Sequence, residues 1–312
     1  MDAIVTNGLT KMYNGRPVVH GLTLRIPVGC VYGFLGRNGA GKSTTTRMLT
    51  GMAFPDEGTA TVLGDDCTQL SPETRARIAY IAEGHPVYKW MTVNHFLKFS
   101  RSFAQRWNHP LVEQILDYFQ LSRTRKLGKL SKGQQAQVSL AAAIAPDPDL
   151  LILDDPTLGL DTVVRRDFLE SLIQIIQRQG RTILFSSHIL GDVERVADRI
   201  GILVDGILRV DAPTDQFKSS IRRIVLEFAG EPPPFPDCPG VVASRIVGHK
   251  REVIVAGLTE KHKAAMESLS PLSSEVMELN LEDAFIAYTR GSRPAMPLFH
   301  VQMASSPSTV KT

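Results

Sequence analysis

The sequence predicts an α/β fold: a largely parallel sheet with a phosphate-gripping loop at one edge, preceded by a small antiparallel β layer, interrupted by a helical subdomain and followed by a small α+β unit. Three observations predict it. Gly36-Arg37-Asn38-Gly39-Ala40-Gly41-Lys42-Ser43-Thr44 follows an apolar run over residues 30–35 that reads as a buried strand, and it opens a helical stretch over 43–49 closed by Gly51. Leu150-Leu151-Ile152-Leu153 is a continuous apolar run ending in Asp154-Asp155-Pro156, as a central parallel strand does when it delivers carboxylates to the C-terminal edge of its sheet. Thr182-Ile183-Leu184-Phe185-Ser186-Ser187 is a further apolar strand, closed by His188.

Residues 1 to about 30 alternate short β-like runs with turns, among them Tyr13-Asn14-Gly15-Arg16-Pro17, and are expected to form the antiparallel layer. In the glycine loop, backbone N–H groups curl around phosphates and the helix N-terminus adds positive potential. Lys42 reaches the β and γ oxygens and the Ser43 hydroxyl suits Mg²⁺, so a nucleoside triphosphate is the expected ligand. A glycine turn before an ordinary helix has the same letters, and the downstream carboxylates decide between the two. From about 91 to 120, the spacing of Val93, Phe96, Leu97, Phe103, Val112, Ile115, Leu116 and Phe119 predicts an inserted helical subdomain with its aromatics in the core. Just before it, Tyr88 and Trp90 read either as solvent-exposed rings or as buried beneath those helices.

Leu130-Ser131-Lys132-Gly133-Gln134 begins a helical run that Pro146 and Pro148 stop. Ser131 and Gln134 fit a capping box, and the same helix N-terminus is an anion site. Side chains alternate along an extended chain, so Asp154 and Asp155 are expected to point apart, one toward Mg²⁺ and one toward an attacking water. The same stretch also fits a turn whose carboxylates bond local N–H groups. His188 reads as a catalytic group or as an ordinary solvated histidine.

Another unit begins near Ser219. Strands are predicted at 224–228, 241–247 and 253–255, then helices near 259–269 and from Leu281 through Tyr288, with Asn280 as N-cap. The prolines of Pro232-Pro233-Pro234-Phe235-Pro236 read as a stiff loop, and 291–312 as a disordered tail. The expected domains are 1–218, 219–290 and that tail.

Composition bounds the partners. The 312 residues are 43% hydrophobic and 21% charged, with net charge +3 and no basic tract, so nucleic acid is not an indicated partner. Cys30, Cys67 and Cys238 lack the density of a disulfide scaffold and the pairing of a zinc site, which suits a reducing cytoplasm. Residues 1–7 lack a basic, apolar, cleavable organisation, so no leader is expected, and no apolar run approaches the roughly 18 residues that span a bilayer.

Phosphate loop, LSKGQ, LLILDD, Leu160-Asp161 and SSH, in this order, resemble the ATP-binding cassette family, the nucleotide-binding domains of ABC transporters, over roughly the first two-thirds of the chain. The resemblance implies a P-loop ATP-binding cassette that hydrolyses ATP with Mg²⁺. It also implies a second cassette in a head-to-tail dimer and an integral membrane subunit, with the protein peripheral on the inner face of the cell membrane. Residue by residue, it implies Tyr13 stacking on adenine, 36–44 as the Walker A loop and Glu83 at the Q-loop position. Ser131, Gly133 and Gln134 fall in the signature, Asp154 is the Walker B aspartate, Asp155 the catalytic carboxylate, Asp161 the D-loop residue and His188 the switch histidine. Ser43, Asp154 and Glu83 are the implied Mg²⁺ ligands. The α+β appendage is similar to the C-terminal extension of drug- and antibiotic-export cassettes.

Three positions depart from the family pattern. Asp155 stands for the usual glutamate and withdraws the base by one methylene; Glu83 stands for glutamine; Lys132 stands for the first glycine of LSGGQ. The expected function is the ATPase subunit of an exporter. The alternatives are a non-transport clamp, disfavoured by the single cassette, and a weakly active regulatory subunit, which Asp155 leaves open.

Overall fold

The computed structural model describes residues 1–177, 180–290 and 299–300. β1 (Asp2–Tyr13) and β2 (Arg16–Pro27) form a hairpin across Asn14-Gly15 whose buried side carries Ile4, Leu9, Leu22, Leu24 and Ile26. The short runs expected before residue 30 are therefore two long strands whose register shifts at bulges. β3 (Val31–Gly36), buried at every position, leads through the glycine loop into α1 (Lys42–Leu49). β4 (Glu57–Val62) and β5 (Asp65–Asp66) complete a four-stranded antiparallel sheet in the order β2-β1-β4-β5.

α2 (Pro72–Ala76) and β6 (Ile78–Ile81) precede the helical subdomain of α3 (Val93–Arg101), α4 (His109–Tyr118) and α5 (Lys132–Ile144). Helix is not continuous over 91–120. Asn108 caps α4 by accepting from Leu111 N at 3.0 Å, and Pro110 sits in its first turn, so the chain must leave α3 before it enters α4.

β7 (Leu150–Leu153), α6 (Thr162–Gln177), β8 (Thr182–Ser187), α7 (Leu190–Val196), β9 (Arg199–Val204) and β10 (Ile207–Pro213) finish the central sheet. Among these strands and β3 and β6 the order is β10-β9-β3-β8-β7-β6, parallel except for β10. β3, β8 and β7 are neighbours, so the glycine loop, His188 and the two aspartates emerge side by side at one edge.

α8 (Thr214–Ser220) leads into a third sheet of β11 (Ile221–Glu227), β12 (Val241–Val247), β13 (Lys250–Ala256) and, after α9 (Glu260–Ser268), β14 (Ser273–Glu278). Its order is β12-β13-β11-β14, all antiparallel. β14 escapes sequence reading because Ser-Ser-Glu-Val-Met-Glu is an exposed edge strand with no buried face to imprint a pattern. α10 (Leu281–Arg290), capped by Asn280 through its bond from Asp283 N (2.7 Å), then turns back. Leu281, Ala284, Phe285 and Tyr288 pack into one cluster with Val193, Val196 and Phe217. β15 (Phe299–His300) pairs in parallel with β10. The remainder of the expected disordered tail, 291–312, lies outside the described residues. Among the described residues, no helix is long and apolar enough to cross a membrane.

Candidate active site

The glycine loop leaves β3 and enters α1 with no side chain capping the helix, so its first N–H groups face the cleft. Gly41 is the N-cap at φ +105°, and a Cβ there would lie 2.5 Å from the Val18 carbonyl oxygen; only glycine fits. Lys42 is buried, and its Nζ donates to the carbonyls of Gly36 (2.7 Å) and Arg37 (3.2 Å). Burial lowers its pKa, opposed by the carboxylates of Asp155, Asp154 and Glu83.

Asp154, fully buried, accepts at one oxygen from Ser43 Oγ (3.0 Å) and Ser186 Oγ (2.8 Å). Ser186 Oγ also accepts from Asp155 N at 2.9 Å, so one serine on β8 fixes both aspartates. Asp155 lies in the left-handed region at φ +44°. Its Oδ2 accepts from His188 Nδ1 at 2.6 Å, while its Oδ1 is buried with no protein partner. The two carboxylates thus have separate partners, but strand alternation is not the reason: Asp155 has already left β7, and its backbone conformation turns it toward His188.

Asn38, Gly39, Gly41, Lys42, Ser43, Thr44, Glu83, Asp154 and Asp155 line one cavity of about 320 Å³, together with Val18 and Leu158. Arg37 is exposed and Ala40 buried in the same loop. Tyr13 stands apart from that lining at the end of β1, half exposed, with Lys11 Nζ 5.5 Å from its ring centroid. Ser131, Gly133 and Gln134 form a second cluster. Ser131 and Gln134 close a reciprocal capping box on α5 with bonds of 3.1 Å each way. A Cβ on Gly133 would run into Val164 Cγ1, and Asp161 caps that part of α6 by accepting from Val163 N (3.1 Å) and Val164 N (3.0 Å).

Ser186 and His85 were not singled out from sequence. His85, buried, reaches across 71 positions to donate from Nε2 to the Pro156 carbonyl at 2.6 Å, tying the loop after Glu83 to the loop after Asp155. Burial lowers the His85 pKa, and its Nδ1 has no partner. Next to Pro156, Thr157 Oγ1 donates to Asp192 Oδ2 at 3.0 Å, and burial raises the Asp192 carboxyl. Nothing in local spacing connects these positions.

Such a cradle suits a polyphosphate beside a carboxylate with one oxygen free for water. The sequence profile described as "ABC transporter" matches residues 19–158. The chain is 37% identical over 229 residues to the daunorubicin/doxorubicin resistance ATP-binding protein DrrA of Streptomyces peucetius, covering 72% of this chain and 69% of that one. It belongs to the ABC transporter family. Within that family this chain is an ATP-binding subunit and an ATPase. It is also 32% identical over 293 residues to the Nod factor export ATP-binding protein I of Burkholderia orbicola (strain AU 1054), which takes in 89% of this chain and 94% of its relative. A solved structure of the ATP binding subunit of an ABC transporter superposes with a TM-score of 0.62 at 27% identity, over 70% of this chain and 92% of that one.

Proposed function

We propose that this ABC subunit binds Mg²⁺-ATP on its glycine loop, hydrolyses it with Asp155 and His188, and powers export through a separate membrane subunit. The observation that carries the reading is the buried Asp155 carboxylate, held by His188 at one oxygen and free at the other, on the wall of the cavity that also holds Lys42. A buried oxygen without a partner is costly, and a water bridged to a phosphate relieves that cost.

Hard oxygen donors fit Mg²⁺, and Ser43 Oγ and Asp154 already meet at 3.0 Å; these two residues would hold the ion, with Glu83 nearby on the same cavity wall. When bound, the ion draws off phosphate charge and aligns the transferring oxygens. The chain's own residues do the rest. Lys42 and the α1 N-terminus bind the phosphates, His188 orients Asp155, and Asp155 orients the water and takes its proton. Tyr13 offers its half-exposed ring to the adenine.

A second cassette supplies Ser131, Gly133 and Gln134 in trans, since these residues and Asp161 are not among those that line the cavity of their own chain. The names of the relatives support export, and the exposed rings of Tyr88, Trp90, Phe99 and Phe103 form a chain of neighbouring aromatics that suits the cytoplasmic helix of a membrane subunit; Phe103, which the spacing places in the core, is instead exposed. The protein then works peripherally at the inner face of the membrane. Titration with ATP and sedimentation in Mg²⁺-ATP test the reading. Lys42→Ala should bind ATP far more weakly, and a hydrolysis-impaired variant should dimerise with nucleotide. Undiminished ATP affinity in Lys42→Ala would refute the site assignment.

A further inference from the structure

The C-terminal sheet carries a second cavity, of about 310 Å³, far in sequence from the glycine loop. Its floor is unusual. Along β13, residues 251, 253 and 255 share one face; Val253 and Val255 are fully buried in the core beneath α9, and Arg251 continues that stripe at 8% exposure. An arginine this buried is ordinarily paired with a carboxylate.

The carboxylates on the strands beside it are engaged elsewhere, Glu252 with Arg245 (2.5 Å) and Glu227 with Lys250 (3.5 Å), and Asp237 on the cavity lining forms no ion pair with it. Arg251 donates to Ser244 Oγ and to the Pro232 carbonyl, each at 3.0 Å, and its buried Nε has no partner. A guanidinium has five N–H donors, and both acceptors it finds are neutral. A buried cation facing a cavity with neutral partners alone bears an uncompensated desolvation cost that an anion in the cavity relieves.

The walls restrict which anion fits. Phe235 and Val241, with Pro234 and Pro236 of the stiff loop, supply apolar surface, and the exposed Asp237 carboxylate stands on the lining as well. That carboxylate repels multiply charged anions and attracts an ammonium group. Arg251 and Asp237 together match the two ends of an amino-acid zwitterion, with its side chain against the Phe235 and Val241 surface. We propose that this cavity binds a small monocarboxylate with an apolar body, preferably one of the amino-acid type.

Calorimetric titration of the full chain with three probes that share one branched apolar body tests the proposal. L-Leucine carries both charges, isocaproate lacks the amine and isoamylamine lacks the carboxylate. Leucine and isocaproate should saturate the protein and isoamylamine should not. Inorganic phosphate should bind more weakly than isocaproate. Arg251→Lys, which keeps the charge but loses the planar fork, should weaken both carboxylates by about 10- to 100-fold. Asp237→Asn, at an exposed position whose side chain makes no hydrogen bond or ion pair among the described residues, should weaken leucine by roughly two- to fivefold and leave isocaproate unchanged. Basal ATP hydrolysis should be unaffected in both variants. Absence of saturable binding by either carboxylate, equal binding of isoamylamine, or unchanged affinity in a folded Arg251→Lys would each overturn the proposal. The probe series on the unaltered chain decides even where Arg251→Lys does not fold.

Discussion

Replacing Asp155 by asparagine changes one atom at the point where chemistry is expected. The amide oxygen still accepts from His188 Nδ1, so the 2.6 Å contact and the side-chain shape survive. Asparagine also tolerates the φ of +44° at this position as well as aspartate does, so the backbone is not perturbed. What disappears is the oxygen that has no protein partner, Oδ1, whose place is taken by an NH₂ group that accepts no proton. General-base catalysis contributes about 10²–10⁴-fold, and at about 1.36 kcal/mol per decade this amounts to roughly 2.7–5.4 kcal/mol of barrier. Phosphate release by Asp155→Asn should fall by that factor, with ATP affinity held within about twofold. Asp155→Glu is the informative counterpart. It restores the family's reach and should keep or raise the rate. It also gives up aspartate's tolerance of the left-handed region, at about 1 kcal/mol of stability. Near-normal turnover in Asp155→Asn, with the variant folded and ATP bound, would refute the reasoning. An inactive native protein rescued only by Asp155→Glu would mark the chain as the regulatory subunit.

Three further outcomes follow from contacts already described. Ser186→Ala strips Asp154 of one donor and leaves Asp155 N without its acceptor; chemical denaturation should report a loss of about 1–3 kcal/mol, and turnover should fall with it. Gly133→Ala forces a Cβ into Val164, so it should cost about 1–3 kcal/mol, measured as a lower denaturation midpoint, and weaken nucleotide-driven dimerisation. His85 has a folded pKa below the unfolded value of 6.5, so its neutral form is favoured by folding; its contribution is complete above that value and is lost as pH falls through the folded pKa. Denaturation midpoints compared between pH 7.5 and pH 5 should therefore drop less in His85→Asn than in the native chain, and an equal drop would argue against it.

What could be read from sequence was whatever leaves a local imprint. The loop around Lys42, the wholly apolar strand at 150–153, the capping box of Ser131 and Gln134 and the Asn280 cap each announce themselves within a few residues. β14 left no imprint, since a polar edge strand has no buried side. The bond from His85 to Pro156 depends on how two loops meet after the sheet is assembled, and no periodicity encodes that meeting. Asp155 lies between these cases. Its place at the end of a buried strand was legible, but its turn into the left-handed region and its pairing with His188 were not.

The return of α10 onto α7 and Phe217, sealed by the Phe217–Tyr288 ring contact at 5.9 Å, sets an order of events during synthesis. A ribosome delivers the glycine loop, both aspartates and His188 long before residues 281–290 emerge. Until they do, Val193, Val196 and Phe217 lack the apolar cover that completes their cluster. The nascent cassette therefore holds its nucleotide-binding parts before α10 covers this cluster, and α10 acts as a closing stitch. A chain cut short at the end of the third sheet would carry every site residue and still display a sticky seam, the kind of surface that chaperones and proteases inspect.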